Sequence, residues 1–509
     1  MSDDAIAATR PRHPVRTPLT ALADWLATVD PSTSVRGTTD GVELSGVSLS
    51  SQRIRPGDLY AALPGTRAHG IDFAPAAVAA GAVAILTDPA GADLAEAARI
   101  VVPLLVVDHP RGVLGRLAAR VYGEPAASMR MIGVTGTQGK TTTTRLAESG
   151  LEHAGIRAAV IGTVGTRVGG DDVKTMLTTP EAPDLHGLFA MMRERDVQVC
   201  AMEVSSHALV MGRVDGVVFD VAVFLNLGRD HLDFHRDVDD YFEAKASLFT
   251  PERARLGLAN VDDEHGRLLL ERATIPMRTF STDGADADWR VSDVELTAVG
   301  SAFVITTPGG DRISAGCPLP GDFNVSNTLA AVAAAGEAGL DPALVAAGIA
   351  DGGGVPGRLE RVDAGQEFVV VVDYAHKPDA VAAAIGTLRP LTDGRVIVVL
   401  GAGGDRDPGK RPIMAEIAAR LADILVVTDD NPRTEDPAAI RAAMLAGITD
   451  PVAEVVEIGD RRAAIREALR RAASGDIVLV AGKGHETGQE IAGVVHPFDD
   501  REVVREVLR

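Results

Sequence analysis

One stretch of the chain combines glycines, a lysine and hydroxyl side chains in the order that phosphate binding requires. An apolar segment runs into a glycine-rich turn and then into threonines, in the sequence MIGVTGTQGKTTTTRL over residues 131–146. The backbone N–H groups of such a turn, with the positive end of the following helix, bind phosphate. Lys140 would reach the outer phosphates, and the Thr141 hydroxyl would reach a magnesium ion. Val134 stands where the usual pattern begins with glycine, so the match is to a variant form. The alternative is an ordinary strand-to-helix turn with a solvated lysine.

Acidic and imidazole side chains follow two other apolar runs. Glu203 ends the apolar run at 197–202, and the next run ends shortly before Asp230 and His231. Ligands collect at the carboxyl ends of strands in a parallel sheet, so Glu203 is a candidate magnesium ligand. The His and Asp residues after 226 suit magnesium or proton handling. The alternatives are a solvated carboxylate at Glu203 and plain loop capping at 230–235.

The last third of the chain repeats one pattern four times. The apolar runs EFVVVVDYAH, GRVIVVLGAGGDRD, ADILVVTDDNPR and GDIVLVAGKGHE each end in a Gly- or Asp-rich turn, with helical stretches between them. This alternation predicts a doubly wound parallel sheet. The turns carry arginines and carboxylates together, which suit a small zwitterion better than another phosphate.

Composition limits the class of protein. With 509 residues, the chain is long enough for roughly three domains at about 150 residues each. The net charge of −21 disfavours nucleic acid as a partner, and no apolar run approaches the ~18 residues of a membrane span. Cys200 and Cys317 do not make a disulfide framework, and the polar N-terminus does not look like a secretory signal. These features predict a cytoplasmic enzyme.

Ten motifs, in order along the chain, resemble the Mur ligases. They are TGTQGKTT, MEVSSHAL, NLGRDHLDFH, YFEAKASLF, FNVSNTLAA, VPGRLE, DYAHKPDA, GAGGDRDPGKRP, DDNPR and AGKGHE. The resemblance implies an α/β fold in three domains: a small N-terminal domain for a UDP-sugar, a central P-loop ATPase domain with a parallel sheet, and a C-terminal Rossmann-like domain for an amino acid. The expected divisions are a disordered tail at 1–16 and domains at 17–125, 126–353 and 354–509.

The resemblance also implies a reaction. In this family ATP phosphorylates a substrate carboxylate, and an amine then attacks the acyl phosphate. The DNPR motif resembles that of members that add diaminopimelate to UDP-MurNAc-L-Ala-D-Glu in peptidoglycan synthesis. Diaminopimelate has a distal carboxylate that an arginine can pair with, whereas lysine would leave that arginine unpaired. The alternatives are a lysine-adding sister ligase, a folate ligase and a non-catalytic nucleotide-gated binding protein.

By resemblance, residues of these motifs take the roles of the matching family residues. The resemblance also implies ATP and Mg²⁺ as cofactors. Catalysis is expected of Lys140, His231 and a carbamoylated Lys245. ATP contacts are expected from Gly136, Thr137, Gln138, Gly139, Lys140, Thr141, Thr142, Asn260, Asn324, Arg358 and Asp373. Magnesium is expected at Thr141, Glu203, His231 and carbamoylated Lys245. The UDP-MurNAc-dipeptide is expected at Leu49, Ser51, Thr66, Arg67, Ala68, Thr178, Thr179, Ser205 and Arg213. Diaminopimelate is expected at Arg406, Asp430, Asn431, Pro432, Arg433, Gly482 and Glu486.

Three positions depart from the family pattern, and all fall in the expected UDP-sugar site. Gln52 stands where many relatives have arginine, Leu177 where asparagine is frequent, and Met211 where glutamine is frequent. The motifs for ATP and the amino acid are intact. The expected partners are the small-molecule substrates alone, and the expected oligomeric state is a monomer.

Overall fold

The computed structural model describes residues 9–175 and 177–509, and these fall into two compact units. The first unit runs to residue 290 and includes 330–345; the second comprises 291–329 and 346–509. Within the described ranges, no helix is both long enough and apolar enough to cross a bilayer. The first eight residues of the predicted tail at 1–16, and Met176, lie outside the described residues.

The first unit begins with a small mixed sheet. Its strands lie in the order Ser34–Arg36, Leu104–Val106, Ala84–Thr87, Asp58–Ala61 and Gly46–Ser48. The first pair is antiparallel and the other neighbours are parallel. A separate short antiparallel pair joins Thr17–Pro18 to Glu43–Leu44. Helix Leu19–Val29 and helix Pro110–Val121 bury leucines against this sheet, which closes one apolar core.

The N-terminal segment differs from the predicted disordered tail from Thr9 onward. The Arg10 guanidinium is buried and donates to both oxygens of Asp58, at 2.8 and 2.6 Å, and to the Val47 carbonyl at 2.9 Å. The backbone N–H groups of Arg12 and His13 donate to the Glu194 carboxylate at 2.7 and 2.6 Å. A buried charge is tolerated when it is paired and hydrogen-bonded. The segment is therefore held by hydrogen bonds to distant residues, through the Arg10 side chain and the backbone N–H groups of Arg12 and His13.

The central part of the first unit is built on a parallel sheet. Its parallel strands lie in the order Ala158–Gly162, Val199–Glu203, Arg130–Thr135, Phe219–Phe224, Ala254–Asn260 and Met277–Ser281. Gly165–Val168 and Asp171–Val173 extend the first edge as antiparallel strands. Most of the inner strand residues are buried, as expected of parallel strands covered on both faces. The ends of these strands therefore share one edge, where the phosphate loop begins.

The second unit contains the predicted doubly wound sheet. Its strands lie in the order Glu360–Arg361, Val369–Asp373, Ile477–Ala481, Val396–Ala402, Ile424–Asp429 and Glu454–Glu457, and the last five are parallel. The four apolar runs singled out in the sequence are the four central strands of this sheet. Two antiparallel hairpins, Gly300–Thr306 with Arg312–Cys317 and Gly488–Ile491 with Val494–Pro497, complete the strands of the unit. The predicted α/β fold class is confirmed in both units.

Helices connect the strands in both units. Those of the first unit are Leu19–Val29, Ala74–Ala79, Pro89–Ala97, Pro110–Val121, Lys140–His153, Ala182–Glu194, Ser206–Val210, Val238–Ala246 and Glu264–Arg272. Those of the second unit are Pro378–Leu388, Lys410–Leu421, Pro437–Leu445, Arg461–Arg471 and Asp500–Leu508. Strand Trp289–Thr297 and helices Asp322–Glu337 and Pro342–Ala350 contain residues of both units. Single 3₁₀ turns lie at Ser51–Arg53, Gly70–Phe73, Pro125–Ser128 and Arg389–Leu391.

Candidate active site

The phosphate loop lies between strand Arg130–Thr135 and helix Lys140–His153, as the sequence predicts. Gly139 precedes the helix with φ of +85°, a left-handed conformation that favours glycine. Lys140 Nζ donates to the Gly136 carbonyl at 2.6 Å and to the Thr137 carbonyl at 3.0 Å. The lysine therefore lies along its own loop, at the positive end of the helix.

Asn226 fixes the shape of this loop, and the sequence analysis gave it no role. Its Oδ1 accepts from the N–H groups of Thr137 and Gln138 at 3.1 and 2.9 Å. Its Nδ2 donates to the Gln138 carbonyl at 3.3 Å. The strand that ends before Asn226 pairs with the strand that enters the loop, which explains the contact. The only signal in the sequence was the position of this amide at the end of an apolar run.

Glu203 lies beside the phosphate loop, as predicted from its place at a strand end. Its Oε1 accepts from Thr141 Oγ1 and from Thr163 N, both at 2.8 Å, and its Oε2 accepts from Thr163 Oγ1 at 3.0 Å. The carboxylate is 1% exposed. These three donors are neutral, so none of them balances the negative charge of the carboxylate. Oxygen donors of this kind are those that Mg²⁺ prefers.

Not all of the predicted magnesium ligands form one group. Among residues 9–175 and 177–509, no cluster of three or more His, Cys, Asp or Glu side chains is arranged to hold a metal. Thr141 and Glu203 are in contact, whereas His231 lies with aromatic rings: its centroid is 4.8 Å from that of His207 and 5.9 Å from that of Tyr241. Unmodified Lys245 offers only an amine nitrogen, whereas Mg²⁺ prefers oxygen ligands. Thr141 and Glu203 thus fit magnesium as they stand.

Lys245 is a buried lysine that lies close to the phosphate loop. Its Nζ donates to the Gly136 carbonyl at 2.9 Å, the same oxygen that accepts from Lys140, and it lies 4.5 Å from the centre of the Tyr241 ring. Burial lowers the pKa of the Lys245 ammonium well below its ordinary value, and the Lys140 charge lowers it further. Both effects favour the neutral amine, which is the form that can add carbon dioxide.

Four residues predicted to contact the acceptor substrate lie together. Thr178 Oγ1 is 3.1 Å from Thr163 Oγ1, and Thr179 Oγ1 donates to the Glu203 carbonyl at 2.9 Å. Ser205 N donates to Thr179 Oγ1 at 3.3 Å, and Arg213 Nη1 donates to the Thr179 carbonyl at 3.4 Å. This group therefore adjoins the candidate magnesium ligand.

Glu181 belongs to the same group and was missed in the sequence. Its Oε1 accepts from Arg213 Nε at 2.8 Å, and its Oε2 accepts from Arg111 Nη1 at 3.2 Å. The carboxylate therefore orients the arginine that is expected to bind an anionic part of the acceptor. Met211, one of the departures from the family pattern, contacts the same arginine, because its sulfur lies 3.5 Å from Arg213 Nη2.

The residues expected at the uridine end follow two neighbouring strands of the small sheet. Leu49 and Ser51 follow strand Gly46–Ser48, and the exposed turn with Thr66, Arg67 and Ala68 follows strand Asp58–Ala61. These strands are parallel, so both segments lie at one edge of the sheet. All five residues thus follow the carboxyl ends of neighbouring parallel strands, and their contact with the uridine end stays a prediction.

The remaining residues expected to contact ATP are divided between the units. Asn260 ends a strand of the first unit, and its Nδ2 donates to the Leu225 carbonyl at 3.0 Å. In the second unit, Asn324 is buried and donates to the Pro320 carbonyl at 2.8 Å. Asp373 accepts from Leu359 N at 2.8 Å, and Arg358 lies over the Tyr374 ring at 5.1 Å. Burial raises the pKa of the Asp373 carboxyl, and the Arg358 charge opposes this. Arg358 and Asp373 form one local group.

Two arginines expected at the amino-acid site meet around Gly403. A Cβ at this position would lie 2.9 Å from Arg433 Nη1, so the lack of a side chain makes room for that guanidinium, and 3.9 Å from Arg406 Cγ, which is an ordinary contact distance. Arg433 has φ of +54°, a left-handed conformation that is costly for a residue with a side chain. The hairpin at 488–497 holds it there: Arg433 N donates to the Glu490 carbonyl at 2.9 Å, and Ala492 N donates to the Arg433 carbonyl at 2.7 Å.

The carboxylates of the same site lie on two adjoining loops. Asn431 Nδ2 donates to Glu486 Oε2 at 2.8 Å, and a Cβ at Gly482 would lie 3.0 Å from Asp430 Oδ2. Asp430 Oδ1 is buried and has no hydrogen-bond partner among the described residues. Pro432 is buried between Asn431 and Arg433. The structure therefore brings the DNPR and AGKGHE motifs together, as the sequence predicts.

A buried ion pair lies beneath these loops. Arg461 donates from Nε and Nη2 to the two oxygens of Asp500 at 2.8 and 2.7 Å, and both side chains are 0% exposed. Arg461 also donates to the Ala481 carbonyl at 3.0 Å and to the Asp429 carbonyl at 3.4 Å. Asp460 caps its helix by accepting from Ala463 N at 2.7 Å. The guanidinium thus joins the two strand ends that carry the candidate amino-acid site.

Family models match three segments of the chain. They are described as "Mur ligase family, catalytic domain" at residues 43–122, "Mur ligase middle domain" at 134–335 and "Mur ligase, glutamate ligase domain" at 357–484. Each match falls inside one of the three predicted domains, whose exact boundaries stay predictions.

Curated relatives resemble almost the whole chain. A protein of Streptomyces coelicolor is 55% identical over 507 residues, and one of Streptomyces avermitilis is 54% identical over 506 residues. In both comparisons 98% of this chain and 98% of the relative are covered, and both relatives are named UDP-N-acetylmuramoyl-L-alanyl-D-glutamate–2,6-diaminopimelate ligase. A solved structure of a protein with that name is 34% identical, with a TM-score of 0.71, and covers 97% of this chain and 99% of its own.

Proposed function

This chain belongs to the Mur ligase family, and from that premise we propose that it joins 2,6-diaminopimelate to UDP-MurNAc-L-Ala-D-Glu at the expense of ATP. The reaction forms an amide bond in peptidoglycan synthesis. The observation that carries this proposal is the agreement between relatives more than half identical over nearly their full length and a candidate amino-acid site where the loops of Arg406, Arg433 and Glu486 meet.

The chemistry proceeds in two steps. The γ-carboxylate of the D-glutamyl residue attacks the γ-phosphorus of ATP, which gives an acyl phosphate and ADP. The amine of diaminopimelate then attacks the acyl carbon, loses a proton and expels phosphate. Lys140, at the helix N-terminus, would stabilise the negative charge on the transferring phosphoryl group. Thr178, Thr179, Ser205 and Arg213 would orient the acceptor, because this group adjoins Glu203, which accepts from Thr141.

Thr141 and Glu203 would hold Mg²⁺, which supplies positive charge against the phosphate oxygens when it is bound. The family resemblance adds His231 and a carbamoylated Lys245 to this set. Support for the modification comes from the depressed pKa of Lys245 and its buried position beside Lys140. Carbamoylation would replace the Lys245 amine with an anion beside the Lys140 cation. Its negative charge would then face Lys140 across the Gly136 carbonyl.

Diaminopimelate is preferred to lysine on charge grounds. Its distal end carries an ammonium and a carboxylate, and the site offers Glu486 for the first and Arg433 for the second. Lysine lacks the distal carboxylate and would leave Arg433 Nη2 without an acceptor. We propose the meso isomer as the substrate, a monomer as the active form and the cytoplasm as its location.

The experiment is phosphate release by the purified protein with ATP, Mg²⁺ and UDP-MurNAc-L-Ala-D-Glu. Parallel reactions contain meso-diaminopimelate, LL-diaminopimelate or L-lysine. Release with meso-diaminopimelate alone is the expected result. Release with lysine alone would refute the role of Arg433 while leaving the ligase chemistry in place. No release with any amino acid would favour a nucleotide-gated binding protein that does not ligate.

A further inference from the structure

Lys483 is a fully buried cation inside the candidate amino-acid site. Its side chain is 0% exposed, and it directly follows Gly482 at the end of strand Ile477–Ala481. Its Nζ donates to Asn431 Oδ1 at 3.1 Å and to Glu486 Oε2 at 3.0 Å, and lies 3.7 Å from Asp430 Oδ1. A buried ammonium is tolerated only when it is paired and hydrogen-bonded. Lys483 meets both conditions, because Asp430 and Glu486 pair with its charge and Asn431 and Glu486 accept its hydrogen bonds.

The contacts of Lys483 fix one oxygen of Glu486. Glu486 Oε2 accepts from Lys483 Nζ and also from Asn431 Nδ2 at 2.8 Å. Asn431 is itself held, because its Oδ1 accepts from Glu490 N at 2.9 Å. Among the described residues, Glu486 Oε1 has no hydrogen-bond partner, and the side chain is 32% exposed. Two donors therefore fix the carboxylate so that Oε1 is the oxygen that remains for a ligand.

Charge gives Lys483 a second effect. Asp430 and Glu486 contribute two negative charges, and Lys483 contributes one positive charge beside both. The three groups together carry one net negative charge, which matches one ammonium group. Without Lys483 the two carboxylates would repel each other, and Glu486 would lose the donor that sets its direction.

We propose that Lys483 is a positioning residue for the amino-acid substrate: it holds Glu486 Oε2 so that Oε1 accepts from the distal ammonium of diaminopimelate. The inference rests on the proposed function, since it concerns the amino-acid site. Lys483 acts on the substrate through Glu486. It therefore influences binding of the amino acid and leaves the phosphate loop unaffected.

The first test compares Lys483→Met with the wild-type protein and with Arg462→Met. Arg462 pairs with Glu506 on the surface of the same unit and serves as the control. Losing the fixed, charge-assisted acceptor should raise KM for meso-diaminopimelate by about tenfold or more. KM for ATP and kcat should stay within about threefold of wild type, and Lys483→Arg should restore part of the loss. An unchanged KM for diaminopimelate, or equal losses in every parameter, would overturn the inference.

A double-mutant cycle separates positioning from general stability. If Lys483 acts through Glu486, adding Lys483→Met to Glu486→Gln should change KM for diaminopimelate by less than about twofold. If the two effects multiply, the inference is wrong. The double variant lacks the Glu486 charge but keeps that of Asp430. Its comparison with Glu486→Gln does not need the single Lys483→Met variant, so the test stays decisive should that variant fail to fold. If the wild-type protein ligates diaminopimelate and the Lys483 variants keep its KM, only this inference is wrong. If the wild-type protein is inactive with diaminopimelate, both the proposed function and this inference are wrong.

Discussion

Replacing Arg433 with methionine should weaken use of diaminopimelate selectively. The hairpin at 488–497 holds the Arg433 backbone through the Glu490 carbonyl and the Ala492 N–H, so the substitution leaves those bonds in place. What changes is the guanidinium. Its Nη1 donates to the Gly404 carbonyl at 2.7 Å, and its Nε lies 3.5 Å from Glu490 Oε2. Among the described residues Nη2 has no acceptor, so it remains for the distal carboxylate of the substrate.

The size of the effect follows from the number of bonds lost. One charge-assisted hydrogen bond contributes about 1.5–3 kcal/mol, so losing the Nη2 contact should lower kcat/KM for meso-diaminopimelate by about ten- to hundredfold. KM for ATP should not change, because the phosphate loop is untouched. L-Lysine lacks the distal carboxylate, so kcat/KM for lysine should stay constant or rise. The ratio of kcat/KM for meso-diaminopimelate to kcat/KM for L-lysine is therefore the most sensitive measure of the effect.

Initial rates of phosphate release, measured over a range of amino-acid concentrations, give this ratio. Arg462→Met is the control, since Arg462 pairs with Glu506 at the surface of the same unit. The reasoning fails if Arg433→Met keeps the wild-type preference for diaminopimelate. It also fails if the variant loses activity with diaminopimelate and lysine by the same factor, because that result would indicate general damage to the unit.

Three buried side chains give further expected outcomes. Lys245→Ala should lower kcat by at least about a hundredfold, with partial rescue by acetate or formate; a fully active variant would refute a role for Lys245 in the reaction. Arg461→Met should lower the free energy of unfolding in denaturant titrations by about 3–5 kcal/mol, because Asp500 is left buried without a partner; a change below about 1 kcal/mol would contradict the importance of the pair. Burial lowers the pKa of His186 from 6.5 to about 4 in the folded protein. As the pH falls, His186 is therefore protonated in the unfolded chain at a higher pH than in the folded one. The free energy of unfolding should therefore drop by about 2 kcal/mol from about pH 7 to about pH 5, and less in His186→Gln; equal slopes would refute this assignment.

The sequence predicted local features of the site well. The phosphate loop, its lysine and Thr141 depend on a short segment, whose strand, turn and helix order is visible in the residues themselves. Glu203 was found by a simple rule, because neighbouring parallel strands end at the same edge of a sheet. The four apolar runs of the last third form the four central strands of their sheet, because their alternation with helical stretches is typical of a doubly wound parallel sheet.

Residues that act through distant partners were harder to predict. Asn226 shapes the phosphate loop, and Glu181 orients Arg213, yet each contact depends on pairing between segments far apart in the chain. The same is true of Arg10, which lay in a segment expected to be disordered and pairs with Asp58. Lys483 was visible as a charged loop residue, but its contact with Asn431 could not be read from spacing.

The glycines at 401–404 show how a motif can be ambiguous in sequence and clear in structure. A run of glycines after a strand can indicate a dinucleotide site, although the sequence places no helix start or acidic partner clearly beside this one. In the structure, Gly404 lies so close to the DNPR loop that a Cβ would meet the Pro432 carbonyl at 1.9 Å. Close approach of two loops, which sequence patterns do not report, explains this position.

The central claim is ATP-driven ligation through an acyl phosphate, and isotope transfer tests it most directly. The acceptor UDP-MurNAc-L-Ala-D-Glu would be labelled with oxygen-18 in the γ-carboxylate of its glutamyl residue and incubated with ATP, Mg²⁺ and meso-diaminopimelate. The account predicts that each phosphate released carries one labelled oxygen and that the product gains the mass of one diaminopimelate residue. Unlabelled phosphate alongside the product would contradict the acyl-phosphate route, and phosphate without product would contradict ligation itself.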